Sequence, residues 1–213
     1  MLESIAILTM IVDHVGIVFY PHDLIFRAIG RASFIIYAYI LSVSVKRTQN
    51  KLKYLLRILT LGVLSQGIYC CLISNRLNVC FTLAAGLLVI IIHESNIVNM
   101  NKCVLTLIVF GMVLAIGFDY GMYGVCVILI FYAFINKPMK YIVISQIFIF
   151  ILSYFILGIP KMQGVSLIAL LFIYVIRNNV PLFTKINWPI KYINYLIFPV
   201  HLIILLLLKR VMG

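Results

Sequence analysis

Apolar runs close to bilayer length, parted by short polar breaks, decide what this chain can become. They lie near residues 2–20, 30–45, 54–73, 79–93, 103–118, 122–136, 141–158, 164–177 and 192–208. A helix needs about 20 apolar residues to cross a bilayer. Backbone polar groups in lipid must be satisfied within the segment, so such runs form helices or a closed barrel. Stretches such as "LIILLLL" do not alternate in polarity, which excludes the barrel. The expectation is an all-α, polytopic membrane bundle of about nine transmembrane helices, forming a single domain over 1–213.

Composition agrees. The chain is 65% hydrophobic and 10% charged, whereas soluble domains have about 45–50% apolar and about 25% charged residues. The start, "MLESIAIL", has neither a basic region nor a small-residue cleavage site, so it reads as the first span and not as a signal peptide. Cys70, Cys71, Cys80, Cys103 and Cys126 lie in or beside apolar runs at no metal-ligand spacing, and buried thiols are expected.

The net charge is +12. In a soluble protein this would suggest a nucleic-acid partner. Here the basic residues punctuate spans, and the positive-inside rule accounts for them, so no nucleic acid is expected. The loop "VKRTQNKLKYLLR" carries Lys46, Arg47, Lys51, Lys53 and Arg57. Placing it in the cytoplasm puts the N-terminus inside and the C-terminus outside. Eleven of the 17 Lys and Arg residues then face inward. The inner face, with this loop and "RNNVPLFTKINWPIK", suits either topology alone or a polyanionic cytosolic molecule such as a nucleotide. No Walker A or glycine-rich dinucleotide fingerprint is present.

Ionisable residues within apolar runs are costly, about 2.5–3.5 kcal/mol each at a helix centre, and they mark pairs or sites. Asp13 and His14 lie about 16–18 Å along the first helix at 1.5 Å per residue. His201, in "FPVHLIILLLL", lies about 13 Å along the last. Both helices run outward, so the two histidines fall at similar depth. Arg27, Arg31, Asn78, Asp119 and Tyr120 map to the same outward half. Asp13 and His14 are adjacent and point about 100° apart, so they address different neighbours. Asp13 suits an ion pair with Arg27 or Arg31, or a site role. His14 is the candidate base, because an imidazole titrates near neutrality; the alternative is a hydrogen-bonded core histidine. His201 suits packing, capping or the site. Arg27 and Arg31 share a helical face and call for an anionic partner; the alternative is snorkelling to headgroups. Gly30 between them admits close approach of a neighbour. Asp119 suits a helix cap or catalysis, and Asn78 a helix cap or substrate contact.

In order along the chain, "TMIVDHVG" (9–16), "RAIGRASFIIYAY" (27–39), "KRTQNKLKYLLRILTLGVLSQ" (46–66), "LNVCFTLAAGLL" (77–88), "DYGMYG" (119–124) and "KYINYLIFPVHLIIL" (191–205) resemble the motifs of the TraX family of membrane acetyltransferases. Ile35 departs from it, standing where the family usually has a proline. The resemblance implies an integral protein of the bacterial cytoplasmic membrane. It would move acetyl from cytosolic acetyl-CoA to an amine or hydroxyl, on a pilin N-terminus or a surface glycan, without a metal. The family is distantly related to membrane acyltransferases of surface glycans, whose critical histidine lies in the first-helix region; that role falls on His14, with Asp13 or Asp119 orienting the site. Arg27, Arg31, Asn78, Asp119, Tyr120 and His201 are assigned to substrate or transition state, with Arg31 or Asn78 for the oxyanion. Arg47, Lys53 and Arg57 are assigned to the nucleotide end of acetyl-CoA. The rival readings are an ion- or proton-coupled transporter, for which repeats and paired broken helices are lacking, and an accessory protein that grips a pilin-like helix.

Overall fold

Each apolar run folds as a helix, and short polar residues fix where several of them begin. A computed structural model describes residues 2–158, 160–179 and 188–212, with the side chains of 161, 178–179 and 188–194 excepted. The helices are α1 (Leu2–Phe19), α2 (Leu24–Arg47), α3 (Lys51–Leu72), α4 (Val79–Glu94), α5 (Asn99–Ile116), α6 (Gly121–Phe134), α7 (Met139–Leu157), α8 (Ala169–Asn179) and α9 (Trp188–Met212). Asp23 Oδ1 accepts from Ile25 N at 2.9 Å, Asn50 Oδ1 from Lys53 N at 2.8 Å and Asn78 Oδ1 from Cys80 N at 3.0 Å. These caps satisfy amides that a helix start would otherwise leave bare.

Among the described residues six helices are long and apolar enough to cross a membrane: α1, α2, α3, α5, α7 and the Tyr195–Met212 part of α9. The expected second span, 30–45, is extended at its start by the Asp23 cap, which brings Arg27 into α2. Ile35 is fully buried and α2 runs unbroken through it. The expected eighth span, 164–177, is not one α-helix. Lys161–Ile168 forms a 3₁₀ helix that leads into α8. Pro160 precedes it, and Gln163 and Ser166 are buried within it, where Ser166 Oγ donates to the Gln163 carbonyl at 2.5 Å. The side chains of Lys185, Trp188 and Lys191 lie outside the described residues.

The sequence makes α2 the central element. Of its membrane window 61% is buried, against 11% for α5 and 17% for α7, whose apolar side chains face outward. α2 packs on α1, α4, α6, α8 and the 3₁₀ helix. Close approach to α1 comes from Gly30, on which the Asp13 side chain rests. Ser33 Oγ, one turn further on, donates to the Ala6 carbonyl at 3.0 Å. At the end holding the α2–α3 loop, Lys51 and Tyr132 both bond Glu94, and Lys46 Nζ lies 3.7 Å from the Tyr132 ring centroid. This cluster ties α2, α3, α4 and α6 together. At the other end the 73–78 and 117–120 loops meet in a bridge between Leu77 and Phe118. Cys70, Cys71 and Cys103 are exposed on helix surfaces, against the expectation of buried thiols; Cys80 is buried and Cys126 half-buried.

A Cβ on Gly30 would fall 2.2 Å from Asp13 Cβ, whereas one on Gly111 meets nothing within 4 Å. Gly30→Ala is therefore expected to cost about 1–3 kcal/mol through overpacking and to lower the unfolding temperature in detergent. Gly111→Ala, in α5, should be neutral or stabilising by up to about 1 kcal/mol. Equal effects of the two changes would contradict the α1–α2 packing.

Candidate active site

The polar residues of the bundle converge where α1 and α9 cross. His14 Nδ1 lies 2.7 Å from His201 Nε2, with the ring planes 8° from parallel. Both residues are buried, at 7% and 6% exposure. His201 Nδ1 lies 2.8 Å from the Ile197 carbonyl oxygen one turn back in α9. Pro199 lies inside this turn. The Tyr69 ring meets the His14 ring at 72° and 6.4 Å between centroids, and Phe198 lies 6.5 Å away on another side. The two histidines expected at similar depth thus touch.

One cavity has His14 in its wall, and a second, at the other end, comes within one helical turn of it at Met10. One, of about 780 Å³, is lined by Asp13, His14, Arg27, Arg31, Tyr69, Arg76, Asp119, Tyr120 and Gln163 among others. The other, of about 630 Å³, lies at the basic end and includes Arg47, Lys53 and Arg57 in its wall. Met10, one turn before His14, and Phe198, beside the His14 ring, also line it. Met10, His14 and Phe198 therefore stand between the two spaces.

The first cavity holds its charges in a fixed order. Arg27 Nη1 donates to Asp13 Oδ1 at 3.1 Å, so the ion pair forms with Arg27. Asp119 does not cap α6. Its Oδ1 accepts from Tyr120 N at 3.1 Å and its Oδ2 from the Tyr69 hydroxyl at 3.2 Å. Its own N–H donates to the Leu77 carbonyl at 2.8 Å, and its carbonyl accepts from Thr82 Oγ1. Burial pushes the carboxyl of this loop residue up, opposed by the Arg31 charge. Tyr120 takes φ 61°, a left-handed conformation uncommon outside glycine. That turn lays its ring 4.0 Å from the Phe34 ring and 5.5 Å from the Arg31 guanidinium carbon. Arg31 Nε is buried without a hydrogen-bond partner.

Two expected site residues stand back from the cavity wall. His201 lies behind His14. Asn78 is fully buried, and its amide is taken up at the α3–α4 joint. Nδ2 donates to the Gly62 carbonyl at 2.8 Å and to Gln66 Oε1 at 2.9 Å, while Oδ1 caps α4. This geometry favours the capping alternative over substrate contact. Tyr69, Gln163 and Phe198 were not singled out from the sequence. Tyr69 carried a faint signal, a hydroxyl near the polar end of its span. Phe198 carried none, since an aromatic ring in an apolar helix is ordinary. Among the described residues no three of His, Cys, Asp and Glu converge to hold a metal ion.

Because Asn78 links two helices through three hydrogen bonds, Asn78→Ala should lower the stability of the fold by about 2–4 kcal/mol, read as a fall in unfolding temperature in detergent. A variant that melts like the native protein but loses a bound substrate would return Asn78 to the site.

No curated protein and no solved structure matches the chain. A family model described as TraX protein matches residues 1–209. Nearly the whole bundle, including both histidines and both cavities, falls within that match, and the chain belongs to the TraX family.

Proposed function

We propose that the chain is a membrane-embedded acetyltransferase that moves acetyl from cytosolic acetyl-CoA to an amine or hydroxyl of an acceptor, a pilin N-terminus or a surface glycan. The observation that carries this reading is that His14 lines one cavity while Met10, one turn before it, and Phe198, beside its ring, line the basic cavity. On this reading the N-terminus and the basic cavity face the bacterial cytoplasm. Arg47, Lys53 and Arg57 receive the phosphates of acetyl-CoA, and the pantetheine arm extends toward Met10 and Phe198. The acceptor enters the other cavity, beside Asp13, Arg27, Arg31, Asp119 and Tyr120.

The chemistry is direct transfer. The His14 ring takes the proton from the acceptor oxygen or nitrogen, and the freed lone pair attacks the thioester carbonyl carbon. As the tetrahedral intermediate collapses, the carbon–sulfur bond breaks and the proton passes from His14 to the CoA sulfur. Asn78 has no donor to spare, which leaves Arg31, with its bare Nε, for the oxyanion. The Asp13–Arg27 pair keeps one carboxylate and one guanidinium fixed in the acceptor cavity.

Purified protein given acetyl-CoA and cell-envelope extract should release free CoA thiol. His14→Ala should reduce release by roughly 10²-fold or more, the scale of a lost general base. Equal release by wild type and variant would remove His14 from the chemistry. No release with any extract, together with solute flux into proteoliposomes without acetyl-CoA, would favour a transporter. The cofactor assignment has a separate check. Lys53→Gln with Arg57→Gln should raise KM for acetyl-CoA, more at low than at high salt, with kcat little changed. An unchanged KM would move the nucleotide elsewhere.

A further inference from the structure

The hydrogen bonds around His201 fix more than its position. A carbonyl oxygen can only accept. The 2.8 Å contact from His201 Nδ1 to the Ile197 carbonyl therefore places a hydrogen on Nδ1. A neutral His201 then has its lone pair on Nε2. His14 Nδ1 lies 2.7 Å from that atom and must donate into it. A neutral His14 is left with its own lone pair on Nε2. No protein group among the described residues hydrogen-bonds that nitrogen, and His14 lines the cavity assigned above to the acceptor.

We infer that His201 is a positioning residue that holds the proton of His14 on Nδ1 and thereby makes His14 Nε2 the basic atom of the site. The inference rests on the acetyltransferase reading only for its kinetic consequence, because the tautomer is a property of the resting protein. The same contact acts during transfer. When His14 Nε2 accepts a proton, the ring becomes a cation in a buried place, where an unpaired charge is costly. The His14 Nδ1–H bond to the His201 lone pair becomes charge-assisted and stronger. His201 passes part of that polarisation to the Ile197 carbonyl through Nδ1–H. It needs no proton exchange with solvent. The arrangement has the logic of an oriented general base, with a second imidazole in the place where a carboxylate often stands. A neutral orienting group suits a site in lipid, since it adds no buried charge.

This role separates His201 from a residue that merely fills space. The chain has four histidines, so single substitutions assign each ring signal in ¹⁵N spectra of the protein in lipid nanodiscs. Wild-type His14 is expected as the Nδ1–H tautomer with a bare Nε2. In His201→Phe the acceptor is gone, and His14 should lose that fixed tautomer. The kcat for thiol release should fall by roughly 10²-fold or more, as for other misoriented bases, while KM for acetyl-CoA stays within about twofold, because His201 lies outside the basic cavity. His201→Gln presents a carbonyl oxygen to His14 Nδ1. It should restore the tautomer and recover at least about tenfold of the lost kcat, the worth of one hydrogen bond to a charged group. A wild-type His14 protonated on Nε2 would overturn the inference. So would an unchanged tautomer in the Phe variant, or a Gln variant with the tautomer and kcat of the Phe variant. If the tautomers behave as expected but no preparation releases thiol, the acetyltransferase reading falls and the role of His201 in setting the tautomer stands. Should the Phe variant not fold, the Gln variant alone decides, by keeping or losing the Nδ1–H signal of His14.

Discussion

The hydrogen bond between His14 and His201 joins the first helix of the bundle to the last, and the rest of the site is arranged around it. It is a bond between two imidazoles, and with both rings neutral it brings two polar side chains into a lipid-embedded core without burying a charge. Its outer end is tied to backbone, at the Ile197 carbonyl, so the pair cannot rotate freely. Tyr69 and Phe198 close two of its sides. α9 also packs on α3 as well as on α1, so the pair sits where three helices meet. The wall between the two cavities is made from this junction.

The same economy of charge runs through the bundle. Ion pairs join Asp13 to Arg27 toward one end and Lys51 to Glu94 toward the other. Neither lies at the histidine pair. Deeper polar groups are neutral and spend their hydrogen bonds on backbone. Ser33 bonds the Ala6 carbonyl, Ser42 bonds those of Ala38 and Ile128, and Asn78 bonds that of Gly62. These contacts hold α1, α3 and α6 at fixed spacing without the desolvation cost of an ion. Arg31 is a charged group in the cavity wall and keeps a buried Nε without a partner; neutral groups such as the Tyr39 hydroxyl and Gln146 Oε1 are also buried and unpartnered. An unsatisfied guanidinium nitrogen in a cavity wall is expensive to keep, and the proposed oxyanion gives it a partner during the reaction.

Much of this was legible in the chain, and the rest failed for identifiable reasons. The helix count and order follow from apolar runs and breaks. Depth along the helices was enough to place His14 level with His201, and to group Asp13, Arg27, Arg31, Asp119 and Tyr120 at one end. Gly30 between two arginines correctly announced close packing. Depth does not give rotation, so the sequence left open which residues face the cavity. Asn78 faces α3 and His201 stands behind His14, although both have the right depth. The 3₁₀ segment Lys161–Ile168 was hidden because its second half, GVSLI, runs without a break into the apolar residues of α8, and the difference lies in buried Gln163 and Ser166. The left-handed Tyr120 was not visible either, since a tyrosine gives no sign of a positive φ. The bond from His201 to the Ile197 carbonyl has no signature at all, because every residue has a carbonyl.

The two cavities differ in the kind of molecule they suit, and that difference bears on function more than their size. The basic one gathers Arg47, Lys53 and Arg57 with Glu3 as its single carboxylate. The other sets Arg27, Arg31 and Arg76 against Asp13 and Asp119 and adds tyrosine hydroxyls. A carrier that shuttles one solute must offer it compatible surroundings from both sides, since the same site faces each side in turn. Unlike mouths suit unlike molecules. A polyanion arriving from one side and a more mixed polar chain from the other would each be met by a matching surface, with His14 in the wall of one cavity and Met10, one turn away, in the wall of the basic one. A reaction that joins a part of one molecule to the other needs that arrangement. It needs neither molecule to cross, only the reacting ends to meet at a base whose lone pair already points to one side.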